Sequence, residues 1–182
     1  YPTGREDLVN FVAIEQNVTW SEESWKIEGS KTEFLNRFKG WNKDLLSMFN
    51  SSQEVYKWGI FERPLPKKLY RSKSVLLGDA AHPMVPFLGQ GGCLAIEDAC
   101  CLMFLLKGKE DLNTVLQKYD ALRNSRSRWI QKRSKFQGVF NHVSNPLLAT
   151  VRNFVTKIIM NSTVNKLHSY NLVKELSKVK TI

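Results

Sequence analysis

Between Ser74 and Ala99 the chain passes from a short apolar stretch, Val75 to Leu77, through Asp79, Pro83, Pro86, Gly89, Gly91 and Gly92 into an apolar helical pattern that begins near Gln90. Few folds accommodate that order. A buried strand that ends on a carboxylate and turns through glycines into a helix is the ligand-holding corner of an α/β sheet. Asp79 at the strand end can accept hydrogen bonds from a polyol. Pro83 and Pro86 stiffen the connection and remove two backbone donors, while Gly89, Gly91 and Gly92 allow positive φ and close approach of a flat ligand to the main chain. The first N–H groups of the helix point into the same space and favour an electron-rich oxygen. The expected ligand has a polyol chain and an electron-accepting head.

The block Gly78-Asp79-Ala80-Ala81-His82-Pro83, then Pro86, Gly89-Gln90-Gly91 and Glu97-Asp98-Ala99, resembles the second flavin motif of the FAD-dependent aromatic hydroxylases, the single-component monooxygenases that include salicylate hydroxylase. By that resemblance Asp79 binds the ribityl chain of FAD. The amides of Gly91, Gly92 and Cys93 meet the pyrimidine edge of the isoalloxazine, with Gly89 shaping the turn, and the Pro86 carbonyl lies beside the reacting flavin carbon and the substrate hydroxyl. Many relatives carry Asn at the position of Cys93, a change that a backbone contact tolerates. Weaker echoes surround the block: Tyr1-Pro2, Trp25 with Gly29, Trp41, Trp58 to Leu65, Tyr119 with Arg123 and Arg126, and Arg152-Asn153. An equivalent tyrosine reaches the aromatic substrate in some relatives, which makes Tyr1 a substrate-contact candidate.

The Gly-x-Gly-x-x-Gly turn that grips the ADP half of FAD in this family does not occur in the sequence. The chain is therefore expected to be the C-terminal half of a longer monooxygenase, inactive alone and completed by an N-terminal half. The implied fold is α/β, or α+β within this piece: part of a Rossmann-like FAD/NAD(P)-binding enzyme with some of its substrate-domain sheet. Residues 1–70 are assigned to that sheet, 71–107 to the flavin-motif strand, loop and helix, and 108–182 to a C-terminal helical region. The implied reaction has NAD(P)H reduce FAD, O₂ form a flavin C4a-hydroperoxide, and an OH pass to a small aromatic, salicylate-like substrate. Epoxidation or N-hydroxylation on the same motif stays open, as does a module that only binds its complementary half or oligomerises, for instance as a homodimer.

Elsewhere the pattern alternates between short elements. Strands are expected over Leu8–Glu15 and Glu54–Glu62. Helices are expected after Ser30 or Thr32 with an end at Gly40, around Leu45 to Phe49, from Gln90 to Lys107, from Asp111, from Pro146 and from about Leu172. The segment from Arg63 to Arg71, with two prolines and four basic residues, reads as a surface crossing. The helix from Gln90 is apolar on almost every side and so is expected to be covered all round.

Charge and cysteines narrow the partners. The net charge is +10, with its densest cluster at Arg123, Arg126, Arg128, Lys132, Arg133 and Lys135. Aromatic interleaving there is limited to Trp129 and Phe136, so the cluster reads as a solvated face, with steering of an anionic substrate or NAD(P)H as the alternative, and no nucleic-acid partner is expected. Cys93, Cys100 and Cys101 share one helix and suit reduced thiols, with neither a disulfide framework nor metal-ligand spacing. No apolar stretch reaches the roughly 18 residues of a membrane span, so membrane contact is not expected and a cytoplasmic location is. His82 and the pair Glu97-Asp98 read as structural ties, His142 and His168 as isolated, and Trp58 and Phe61 as core.

Overall fold

The computed structural model describes residue 4, residues 8–16 and residues 27–179, and the chain divides into two compact units, Tyr1–Ile60 and Phe61–Ile182. Tyr1 and Trp25 lie outside the described residues.

The first unit contains β1 (Ile27–Glu28), α1 (Lys31–Arg37), α2 (Lys43–Asn50) and β2 (Tyr56–Lys57). The strands pair antiparallel, Ile27 opposite Lys57, and the Gly29 amide adds a bond to the Val55 carbonyl at 2.7 Å. Ser30 caps α1 by accepting from the Glu33 amide, and Asn42 caps α2 by accepting from the Asp44 and Leu45 amides, which satisfies donors that a helix start leaves unpaired. Phe34, Phe38 and Phe49 close the two helices on one another, with Phe11 against Phe49 at 4.7 Å between centroids and Trp41 edge-on to Phe38.

The strands expected here are largely absent. Over Leu8–Glu15 only Val9 forms a bridge, and Phe11 serves the ring cluster instead. Val9 and Val12 are more than half exposed, so the alternating pattern has no covered face to hold it as a strand. The second strand shrinks from Glu54–Glu62 to Tyr56–Lys57, and Trp58 and Phe61 are exposed where core positions were expected.

In the second unit β3 (Tyr70–Arg71) and β4 (Ser74–Val75) form a hairpin, with Ser72 at the left-handed φ of 53° in its turn. The expected buried strand Val75–Leu77 is thus the return arm of a two-residue antiparallel hairpin, and Leu77 leads directly into a 3₁₀ turn at Gly78–Ala80. A second 3₁₀ turn, Pro86–Leu88, precedes α3 (Gly91–Leu106), α4 (Leu112–Asn141), α5 (Pro146–His168) and α6 (Leu172–Val179). The helix starts fall where the caps predict: Asp111 accepts from the Asn113 and Thr114 amides and the Thr114 hydroxyl, bonds that hold its carboxyl below the ordinary value. Asn145 caps α5, with Pro146 in its first turn.

Leu69, Ala81, Cys101, Leu105, Val115, Tyr119 and Leu176 form the main core, and Leu94, Ile130 and Leu167 a second cluster. Coverage of α3 is one-sided, contrary to expectation: Leu94, Asp98, Cys101 and Leu105 are buried while Ile96, Met103 and Leu106 are exposed. Helix α5 likewise leaves Leu147, Val151, Phe154 and Ile158 exposed. Hydropathy reports which side chains are apolar, not which of them have neighbours.

Helix α4, 30 residues long, is the spine of this unit. Along one side it takes hold of the preceding segment through main-chain atoms. The Tyr119 hydroxyl donates to the Leu76 carbonyl at 2.9 Å, Asp120 accepts from the Leu69 amide, and Asn124, Arg128 and Gln131 donate to the carbonyls of Lys67, Pro66 and Arg63. Lys135 pairs with Glu62. The crossing from Arg63 to Arg71 is therefore anchored rather than superficial, with Leu65 and Leu69 buried beneath it.

Tyr119→Phe removes the donor to Leu76 and leaves that carbonyl without its partner, so the variant is expected to lose about 1–2 kcal/mol of stability. Denaturant unfolding checks this; an unchanged midpoint would show that the Tyr119 bond contributes nothing.

Candidate functional site

The site is assembled around Asp98, a carboxylate whose place in the Glu97-Asp98 pair is that of a structural tie. Asp98, one face of α3 and fully buried, accepts from the Gly78 amide at 3.0 Å, from His82 Nε2 at 2.6 Å and from Arg123 Nε at 2.7 Å. Burial alone would raise the Asp98 carboxyl, but the bonds from His82, Arg123 and Gly78 outweigh it and hold it below the ordinary value. Arg123 is itself fully buried and also pairs with Glu97 at 2.8 Å; loss of hydration disfavours its charge, and the two carboxylates more than restore it, so its pKa is raised. Arg126 joins Glu97 at 3.1 Å and donates to the Leu167 carbonyl, with its guanidinium 4.0 Å from the centre of the Tyr170 ring.

The expected solvated basic face is thereby corrected. Arg123 and Arg126 point inward because two carboxylates on α3 wait for them. Arg128 and Lys135 are engaged with the segment from Glu62 to Pro66.

Asp98 fixes the turn that carries Asp79. Gly78 sits at φ +55°, and a Cβ there would come 3.2 Å from the Ala95 Cβ, so the turn lies directly on α3 in a conformation that glycine supplies. With Gly78 and His82 held inward, Asp79 faces outward and is exposed. Its Oδ1 lies 3.9 Å from where a Gly91 Cβ would be, which places the carboxylate at the start of α3.

The connection from Pro83 to Gln90 completes the surroundings. Pro86 opens the second 3₁₀ turn and is exposed, and its carbonyl accepts from the Gly89 amide at 2.9 Å with Gly89 at φ +62°. Gln90 enters α3 without a side-chain cap, so no side chain among the described residues satisfies the first amides, those of Gly91, Gly92 and Cys93. Beyond its own stretch of helix, no described atom lies within 4 Å of the position of a Gly92 Cβ, and Cys93 is exposed. Asp79 is thus brought beside Gly91 at the positive end of α3, with Gly92 and Cys93 next in that helix and Gly89 and Pro86 on the turn that leads into it. Tyr1 lies outside the described residues. Of the thiols, Cys93 and Cys100 are exposed and only Cys101 is buried, where loss of hydration pushes it up to about 11.

An exposed carboxylate, an uncapped helix start and main chain without side-chain cover fit a ligand with hydroxyls and an electron-rich ring edge. The FAD binding domain family matches residues 18–134, and the chain belongs to it. Among curated proteins it is 36% identical over 139 residues to a 3-amino-4-hydroxybenzoate 2-monooxygenase of Streptomyces platensis, covering 76% of this chain and 35% of that protein. It is 35% identical over 135 residues to a 6-hydroxynicotinate 3-monooxygenase of Pseudomonas fluorescens, covering 72% of this chain and 35% of that one. The chain thus spans about a third of the length of these relatives. The solved structure of a salicylate hydroxylase substrate complex superposes with a TM-score of 0.75 over 88% of this chain and 41% of that one, at 24% identity, and so shares the fold. Among the described residues no helix is long and apolar enough to cross a membrane.

Because Asp98 is more acidic folded than unfolded, its stabilisation is present in full above about pH 4, where an unfolded aspartate is ionised, and is lost as pH falls through the folded-state value. Asp98→Asn should flatten that acid limb, as thermal unfolding at pH 7 and near pH 3 would reveal. Arg123→Met, which strands the buried Asp98 charge, is expected to cost about 3–5 kcal/mol. A loss below about 1 kcal/mol would mean that this cation does not hold the turn.

Proposed function

We propose that this chain is the part of an FAD-dependent aromatic monooxygenase that holds the flavin ring end of the cofactor. The observation that carries the reading is the exposed Asp79 carboxylate set beside the uncapped start of α3. In this reading Asp79 accepts from the ribityl hydroxyls, and the amides of Gly91, Gly92 and Cys93 donate to the pyrimidine edge of the ring. Gly89 lets the chain turn away so that the ring can lie against main chain. Pro86 presents its carbonyl, whose second lone pair the turn leaves available, to the reacting edge and to the substrate hydroxyl. Tyr1 is proposed to contact substrate.

When bound, FAD supplies the redox chemistry by which NAD(P)H and O₂ place one oxygen on a small aromatic ring. The chain's own contribution is orientation and protection. Main chain beside the ring offers no side chain to be oxidised, and a glycine-lined surface allows close contact that excludes water. The names of the relatives, which act on hydroxybenzoates and hydroxynicotinate, support a substrate of this class.

The share of the relatives that this chain spans supports a second segment carrying the ADP-binding turn, and the exposed apolar faces of α3 and α5 are proposed to receive it. Within this reading residues 1–70 belong to the substrate-binding sheet, 71–107 to the flavin corner and 108–182 to the helical region, with the fragment inactive alone, a homodimer open and the location cytoplasmic.

The test is flavin content and NAD(P)H oxidation of the full-length gene product with and without Asp79→Ala. The carboxylate-to-hydroxyl bonds imply that the variant binds flavin roughly tenfold to a hundredfold more weakly. A full-length protein that takes up no flavin after incubation with FAD, or a variant with unchanged affinity, would overturn the reading.

A further inference from the structure

If the Pro86 carbonyl faces the flavin, whatever fixes the loop from Pro83 to Leu88 fixes the carbonyl, and the following inference rests on that reading. Three α4 residues grip the loop on both sides of Pro86. Gln131 Nε2 donates to the Pro83 carbonyl at 2.9 Å, and the buried Ser134 Oγ donates to the Val85 carbonyl at 2.6 Å. Gly138 lies under the Phe87 ring. Positions 131, 134 and 138 advance by three and four residues, so they line one face of the helix. Pro86 itself stays exposed between its two anchored neighbours.

Gly138 is the most informative of the three. It sits inside a long helix, where alanine is the better helix former, and its φ is not in the left-handed region. A Cβ there would come 2.3 Å from Phe87 Cε2 and 2.5 Å from Cδ2, far inside van der Waals contact. On one side the ring is bounded by the His142 ring, which stands edge-on to it at 5.8 Å between centroids and is itself tied by its Nδ1 to the Gly138 carbonyl at 2.7 Å, so a Cβ at 138 would push the half-buried ring and its turn outward. Glycine at 138 therefore serves the loop and not the helix.

We propose that Gly138, with Ser134 and Gln131, is a positioning element for the Pro86 carbonyl. The missing Cβ admits the Phe87 ring, the seated ring sets the depth of the 3₁₀ turn Pro86–Leu88, and the two carbonyl bonds fix its direction. These residues act through the loop they hold.

The experiment compares Gly138→Ala, Phe87→Leu and the double variant in the full-length gene product, reading thermal unfolding, flavin affinity and the visible absorption of the bound flavin. Gly138→Ala is expected to lower Tm by about 4 °C despite the gain in helix propensity, to weaken flavin by about tenfold, and to shift the absorption band. Adding Phe87→Leu, which vacates the space of the ring, is expected to restore most of each. Unchanged Tm in Gly138→Ala, or no rescue by Phe87→Leu, would overturn the steric argument. A lowered Tm with an unaltered flavin spectrum would reduce Gly138 to space-filling and overturn its positioning role. A fault in the underlying reading shows separately, as wild-type protein without flavin or Asp79→Ala with undiminished affinity; either withdraws the positioning role, while the Tm comparison still decides whether residue 138 must be glycine.

Discussion

Everything near the site depends on one buried carboxylate being neutralised. Asp98 lies at 0% exposure against Arg123, also at 0%, and a charge removed from water in this way is tolerable only with a partner and a full set of hydrogen bonds. The arrangement meets both conditions by drawing in the Gly78 amide and His82. Glu97 and Arg126 form a second pair beside the first, and Arg126 reaches the Leu167 carbonyl near the end of α5. The turn before α3, the middle of α3, the centre of α4 and the end of α5 are consequently tied to one electrostatic knot. None can shift without exposing or stranding a charge.

That knot frees the outward surface from structural duty. Gly78 and His82 face inward and take the bonds that hold the turn, so Asp79 between them is left with no structural task that would consume its oxygens. The start of α3 is similarly unencumbered, because the helix is held from its middle by Asp98 and does not need a side-chain cap. A cluster of polar acceptors and donors can stay open to a ligand only where other groups maintain the fold.

The helical half of this plan was legible in the sequence. Ser30, Asp111, Pro146 and the glycine turn before Gln90 each announce a helix start through chemistry confined to a few neighbouring residues. The passage through two turns into α3 was legible too, because its order of acid, prolines and glycines is local. Strands were less so: a pattern such as Leu8 to Glu15 shows alternation but not whether a neighbour is present to form a ladder. Within its basic cluster Arg123 looks solvent-facing, yet the sequence carries a signal of its burial. It falls in step with Leu116, Tyr119 and Ile130 on the apolar stripe of α4, and an arginine on a buried stripe asks for a buried acid, which Glu97-Asp98 supplies. The seat of Phe87 on Gly138 joins residues far apart in the chain, and no local pattern could have shown it.

The way α4 holds the segment before α3 has an evolutionary consequence. Asn124, Arg128, Gln131 and Ser134 reach the carbonyls of Lys67, Pro66, Arg63, Pro83 and Val85, atoms that every amino acid possesses. The clamp is therefore blind to the side chains it aligns. The exposed residues along that segment can be exchanged without breaking these bonds, so a lineage could vary the surface there while inheriting the same alignment.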